Sequence, residues 1–208
     1  MIKLSNINKS FGQKKVLSNL SLCIQEKEFV CITGESGSGK TTLLNIIGLL
    51  AKPDNGEVRL NGKISFTKKD ILRIRREFFG YVFQDYLLLY DKTIEENLNI
   101  SNYRKGKWNK KDINEVMEKV GLPLTYLNKK VYQLSGGEQQ KVAIARMMLK
   151  QYEIVLADEP TGNLDYKNKI EIIKIFRDIQ KNGKTIICVT HDREVAEAAD
   201  RIINLPRI

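Results

Sequence analysis

No apolar run in this sequence approaches the ~20 residues that a membrane-spanning helix requires. The longest, Leu43 to Ala51, is short and is interrupted by Asn45 and Gly48. The opening residues, Met1-Ile2-Lys3-Leu4-Ser5, lack the apolar stretch of a secretory signal. The chain is therefore expected in the cytoplasm, with any route through a membrane in another polypeptide. Cysteine is scarce and odd in number: Cys23, Cys31 and Cys188, each in an apolar, strand-like run. That usage reads as buried thiols in a reducing compartment, without metal-ligand spacing. Histidine occurs once, at His191. Internal repeats and low-complexity segments are missing too, which sets aside solenoids and disordered linkers.

What is present is an ordinary globular composition with a basic surplus. The chain has 208 residues, and 35 Lys and Arg against 25 Asp and Glu give a formal net charge of +10. Such a surplus suits nucleic acid or an anionic membrane face, but the basic residues are spread along the chain, as on a solvated lysine-rich surface. Nucleic acid is not an expected partner. One cluster stands out, Lys68, Lys69, Arg73, Arg75 and Arg76, all within a single predicted helix.

The pattern alternates strands and helices. Residues 2–8 alternate apolar and polar, as a half-buried strand does. Leu20 to Gln25 and Glu28 to Thr33 read as strands about a turn at Glu26-Lys27, and a helix is predicted from near Gly39 to just before Pro53. Glu57 to Leu60 and Lys63 to Phe66 flank Asn61-Gly62, a hairpin signal. From about Thr93 to Tyr132 the chain is polar and helical in period, and Thr93 with Glu96 resembles a capping box. Strand Ile154 to Ala157, helix Tyr166 to Asn182, strand Thr185 to Thr190, a helix from Asp192 and strand Arg201 to Leu205 follow. The expectation is an α/β fold, a mainly parallel sheet with ligands at the strand C-terminal ends. It is read as one domain over residues 1–208: a core from 1–85 and 150–208, with a helical lobe inserted at 86–149.

Two motifs carry phosphate chemistry. Gly34-Glu35-Ser36-Gly37-Ser38-Gly39-Lys40-Thr41 matches the phosphate-loop pattern and lies between a predicted strand and a predicted helix, the context the motif needs. Its glycines let backbone N–H groups curl around phosphate oxygens, and the helix N-terminus adds partial positive charge. Residues Gly34 through Thr42 are thus nucleotide-binding candidates, with Lys40 on the β- and γ-phosphates and the Thr41 hydroxyl on Mg²⁺. About a hundred residues later comes Leu134-Ser135-Gly136-Gly137-Glu138-Gln139-Gln140 at the start of a helix.

That second run resembles the signature of ABC ATPases, the engines of ATP-binding-cassette transporters, and the resemblance covers essentially the whole chain. It implies a phosphate-loop NTPase core with an antiparallel β part at the N-terminal side. ATP and Mg²⁺ are the implied cofactors. Ile154-Val155-Leu156-Ala157-Asp158-Glu159 looks like the second nucleotide motif, with Asp158 on Mg²⁺ and Glu159 as general base. His191 occupies the place of the switch histidine, and Gln84, after Tyr81-Val82-Phe83, that of the glutamine that reaches Mg²⁺ and the attacking water. Asn163-Leu164-Asp165 looks like the loop that crosses a dimer interface, with Asp165 nucleotide-facing. Phe11 stands where the family stacks an aromatic on adenine, usually tyrosine; a strand-end core aromatic is the alternative. Ser135, Gly136 and Gly137 would hold the γ-phosphate of ATP bound to a second copy, in a head-to-tail dimer. Lys141 departs from the arginine common there and is expected to affect interface salt bridges.

The resemblance further implies an integral-membrane permease partner, which would hold the chain on the inner face of the cell membrane. Within the family the match is to the branch of lipoprotein release, macrolide export and bacteriocin export. An alternative is an engine that drives a membrane partner regulating a cell-wall hydrolase. Tyr86-Leu87-Leu88-Leu89-Tyr90 is too apolar for a freely solvated loop. It fills the seam between core and lobe, or lines a groove for a permease helix.

Overall fold

The computed structural model describes residues 1–102 and 108–208; residues 103–107 of the expected helical lobe lie outside that description. The chain opens with a hairpin, β1 (Ile2–Phe11) and β2 (Lys14–Ile24), and β4 (Asn55–Leu60) pairs with the other edge of β1. These make a three-stranded antiparallel sheet in the order β2-β1-β4. A separate five-stranded parallel sheet has the order β5-β6-β7-β3-β8, built from β3 (Phe29–Thr33), β5 (Phe79–Val82), β6 (Ile154–Asp158), β7 (Thr185–Val189) and β8 (Arg201–Asn204). The register sets Cys31 beside Cys188 and Asp158 beside Val189.

The period-two alternation of a strand sorts these residues onto two faces. Val30, Ile32, Leu156, Ile187 and Val189 face one core with helix α1 (Lys40–Ile47) and the antiparallel sheet. Phe29, Val155, Ala157, Ile186 and Cys188 face a second core with α5 (Gly136–Met148) and α6 (Tyr166–Lys181). Both faces are covered, so these strands read as continuous apolar runs. Between β5 and α5 lie α3 (Ile94–Asn99), α4 (Lys110–Lys119) and two short 3₁₀ turns. Helix α2 (Lys68–Glu77) precedes β5, and α7 (Arg193–Glu197) precedes β8.

Several boundaries differ from expectation. Helix α1 stops at Ile47, well short of Pro53. Gly48 is pressed so close to Leu156 and Tyr81 that a methyl group there would lie 2.7 Å from Leu156 Cδ1, and Leu49 then takes a positive φ of 58°. Lys63 to Phe66 is not a strand; only the bridge Leu60–Lys63 closes the turn, because Lys63, Ile64 and Ser65 are exposed and have no sheet face to join. The first hairpin is longer than its alternation suggested, with β2 starting at Lys14. Cys23 is only half-buried, on β2, whereas Cys31 and Cys188 are core residues.

Candidate nucleotide site

Strand β3 delivers the chain at Thr33 into the phosphate loop, and the loop becomes α1 at Lys40. Gly39 is the N-cap with φ 95°, and a Cβ there would lie 2.7 Å from Val16 Cγ1, so both backbone shape and the antiparallel sheet demand glycine. Among the α-helices described, α1 alone has no side-chain cap and no acidic residue in its first turn. Thr67, Thr93, Asn109, Ser135, Asp165 and Asp192 cap α2 to α7. The first N–H groups of α1 are thus left for an outside acceptor, at the positive end of a helix dipole. Residues 35–37 lie open to solvent, and Lys40 Nζ donates to the carbonyls of Gly34 and Glu35 at 2.9 and 3.0 Å. This donor-rich cradle fits an oligophosphate. Thr42 continues it into the helix.

The carboxylates come from the end of β6. Thr41 Oγ1 donates to Asp158 Oδ1 at 3.1 Å, so the hydroxyl and carboxylate converge. Burial pushes the Asp158 carboxyl up, against the Thr41 hydrogen bond, with the Glu159 charge adding to the rise and Lys40 opposing it. A divalent cation seated there would offset that cost, so the donor set fits Mg²⁺.

Glu159 is held from three sides. Its backbone takes φ 45°, a left-handed conformation disfavoured for a non-glycine residue, and its N–H donates to Val189 O at 2.8 Å. Oε2 accepts from Thr190 Oγ1 at 2.8 Å and from the His191 N–H at 3.3 Å, while Oε1 lies 2.9 Å from His191 Nδ1. The Glu159 side chain is largely buried and the His191 ring largely exposed. Gln84 is exposed beside this turn: a methyl group on Gly162 would sit 3.6 Å from Gln84 Nε2 and 3.8 Å from Glu159 Cβ.

Behind Glu159 runs a network that motif reading missed. Thr190 Oγ1 also accepts the Asp192 N–H at 3.0 Å. Asp192 in turn accepts from Thr161 Oγ1 at 3.1 Å and pairs with Lys169 at 2.6 Å. Burial raises the Asp192 carboxyl, but its hydrogen bonds, those from Lys169 and Thr161 among them, outweigh that and leave it lowered. Gln140, fully buried on α5, donates to Pro160 O at 2.8 Å and so ties the signature helix to the Glu159 turn. The only sequence cue was position: Thr190 sits between a strand and His191.

The remaining expected site residues lie elsewhere. Ser135 caps α5, its Oγ accepting the Glu138 N–H at 3.3 Å in a full capping box. A methyl group on Gly136 would face Tyr86 and Leu164, and one on Gly137 would collide with the Asn168 side chain. Asp165 is exposed and caps α6, its carboxyl held low by hydrogen bonds from Asn168. Phe11, at the end of β1, is 58% exposed with Lys9 Nζ 5.5 Å from its ring centre, so the core-aromatic alternative falls. Lys141 is a correction: it is buried and paired with Glu171 on α6 of the same chain, because α5 and α6 pack side by side.

The apolar loop after Gln84 splits. Leu88 packs against the core, whereas Leu87, Leu89 and Tyr90 are exposed, and Tyr90 meets exposed Tyr132 with ring centres 6.2 Å apart. Tyr86 and Leu87 both take left-handed backbone, and Arg146 of α5 holds their carbonyls at 3.0 and 2.6 Å.

The sequence model of the family described as ABC transporter matches residues 17–162. The chain is 43% identical over 213 residues to the macrolide export ATP-binding/permease protein MacB of Chlorobaculum tepidum, covering 99% of this chain and 33% of that protein. It therefore spans about a third of the length of such relatives. It is 42% identical to the uncharacterized ABC transporter ATP-binding protein YvrO of Bacillus subtilis, covering 92% of it. A dimeric structure of MJ0796, a bacterial ABC transporter cassette, superposes with a TM-score of 0.89 at 40% identity, covering 99% of this chain and 94% of that one. A second, dimeric and post-hydrolysis, holds ADP and Pi and superposes with a TM-score of 0.87.

Proposed function

The chain belongs to the ABC transporter family and is an ATPase of that type, and from that premise we propose the following working cycle. ATP lies on the loop Gly34–Thr42, with Lys40 against its β- and γ-phosphates and Phe11 stacked on adenine. Thr41, Asp158 and Gln84 would hold Mg²⁺, which when bound would neutralise phosphate charge. Ser135, Gly136 and Gly137 of a second, head-to-tail copy close over the γ-phosphate, with Asp165 at the seam. Glu159 takes a proton from the attacking water, and His191 keeps that carboxylate oriented through its Nδ1 contact. Hydrolysis then lets the two copies part.

The single observation that carries this reading is that the uncapped α1 reaches, through Thr41, the strand end at Asp158 whose next carboxylate, Glu159, is clamped by Thr190 and His191. The MJ0796 neighbours, described as dimeric, support the paired state. The MacB relatives, named as joined ATP-binding and permease proteins, support a membrane partner and an export role, with a drug-like, peptide or lipoprotein substrate. In this chain that partner would dock on Leu87, Leu89, Tyr90 and Tyr132, and Arg146 would carry the motion of α5 to that loop. The chain would then work on the cytoplasmic face of the membrane.

The test is Glu159→Gln, which keeps shape and removes the base. ATP binding is expected to persist, an ATP-bound dimer to accumulate in sedimentation, and turnover to fall by ~10²–10⁴. Turnover within about threefold of wild type would remove Glu159 from this role, since that is far less than a lost base costs.

A further inference from the structure

Helix α2 has no fully buried residue, and five of its ten residues are basic, Lys68, Lys69, Arg73, Arg75 and Arg76, against Asp70 and Glu77. At 3.6 residues per turn, Lys68, Leu72, Arg76, Lys69 and Arg73 fall on one arc of about 140°. All five are exposed, and Leu72 is 59% exposed between the cations. The acids lie off that arc. Asp70 is engaged by the Thr67 cap and by Lys63 at 3.1 Å, with Arg73 3.9 Å away. Beside the arc opens an apolar groove of about 460 Å³, whose lining includes the exposed side chains of Leu50 and Ile64 together with Phe66, Lys52 and Arg75.

We propose that α2 rests on an anionic lipid surface, with Lys68, Lys69, Arg73 and Arg76 among the headgroups and Leu72 and Ile64 at the acyl boundary. The charges are complementary to such a surface. An apolar side chain flanked by cations on one arc is the arrangement of an interfacial helix. Nucleic acid is the poorer fit, because no aromatic residue lies on the arc to stack on a base. An acidic protein segment would not need Leu72 to protrude. Orientation adds support that rests on the function proposed above. Helix α2 leads through β5 into the loop bearing Leu87, Leu89 and Tyr90, and Lys150 of the α5–β6 connection reaches the Arg75 carbonyl at 3.4 Å. A loop turned toward a permease turns α2 toward the bilayer beside it.

The experiment is sedimentation of the purified chain with vesicles of phosphatidylglycerol mixed with phosphatidylcholine, and with phosphatidylcholine alone, at low and high salt. It needs no permease, so its outcome is separate from that of the transporter reading. Binding is expected to the mixed vesicles only and to fade with salt. Removing one cation should weaken it about fivefold, so Lys68→Gln with Lys69→Gln should weaken it roughly 25-fold. Leu72→Asp should abolish it. All variants should keep wild-type basal ATPase activity, which shows that they fold. Removing two charges elsewhere, Lys110 with Lys111 on α4 or Lys174 with Lys181 on α6, all exposed, should matter far less. The proposal is overturned by equal binding to phosphatidylcholine, by equal loss in that control set, or by wild-type binding of Leu72→Asp. It is also overturned if a single-stranded oligonucleotide or polyglutamate displaces the chain and binds as tightly as the mixed vesicles.

Discussion

Replacing Thr190 with valine keeps its shape and deletes one hydroxyl. That hydroxyl donates to Glu159 Oε2 at 2.8 Å and accepts the N–H of Asp192 at 3.0 Å. The first bond goes to a carboxylate and is of a kind worth about 1.5–3 kcal/mol. The second, once lost, leaves a buried donor unpaired at a cost of about 1–3 kcal/mol. Partial relaxation makes a combined loss of about 2–4 kcal/mol the reasonable expectation. For a chain of this length that is a fall in Tm of roughly 5–15 °C, measured by calorimetry. Thr190 is buried and is a positioning residue: with one of three fixed contacts gone, the Glu159 carboxylate is free to swing. A misplacement of about 1 Å costs on the order of 10² in rate, so kcat should fall about 10–100-fold with ATP affinity unchanged. Thr190→Ser should restore both values. Combined with Glu159→Gln, Thr190→Val should lower kcat little further, because the two act as a unit. A Tm that falls while kcat stays within about threefold, well short of that drop, would reduce Thr190 to a core residue and refute the reasoning.

Ser135→Arg should leave ATP binding intact and prevent the proposed ATP-dependent dimer from forming, with gel filtration as the readout; Ser135→Ala controls for the lost helix cap, worth about 1 kcal/mol. Normal hydrolysis by the arginine variant would eliminate the shared site. Leu88→Asp should unfold the chain, since Leu88 packs on the core, whereas Leu89→Asp should keep folding and basal ATPase and lose co-purification with the proposed permease. If Leu89→Asp still co-purifies, the docking loop is elsewhere. Lys150 is held near a pKa of about 8, first by burial and then by the Arg146 charge. The folded state therefore binds fewer protons than the unfolded one between that value and the ordinary lysine range, so its stability rises with pH across that window. The Tm of wild type should gain on that of Lys150→Met as pH climbs from neutral toward 10; a constant difference would refute the depressed value.

Local pattern foretold much of this molecule because the relevant physics is local. The capping box of Thr93 and Glu96 was legible, since both bonds close within one turn. The phosphate loop was legible because its glycines, Lys40 and Thr41 are contiguous. Lys63 to Phe66 misled, because a turn signal cannot say whether a sheet edge waits beyond it. Lys141 misled for a related reason: a motif says nothing of what a neighbouring helix places opposite, and here that is Glu171.

The sequence by itself therefore determined most of the order of strands and helices, the phosphate-loop pattern that opens at Gly34, and which carboxylates end an apolar strand. Only the tertiary structure decided that β6 and β7 lie side by side, so that Thr190 and His191 grip Glu159 from 31 and 32 residues away. It likewise decided that Leu88 turns inward while Leu87, Leu89 and Tyr90 face out, and that Phe11 is exposed rather than packed. The division has one physical origin. Period, caps and turns are set by interactions within a few residues, whereas burial and long-range hydrogen bonds depend on which elements the folded core brings together.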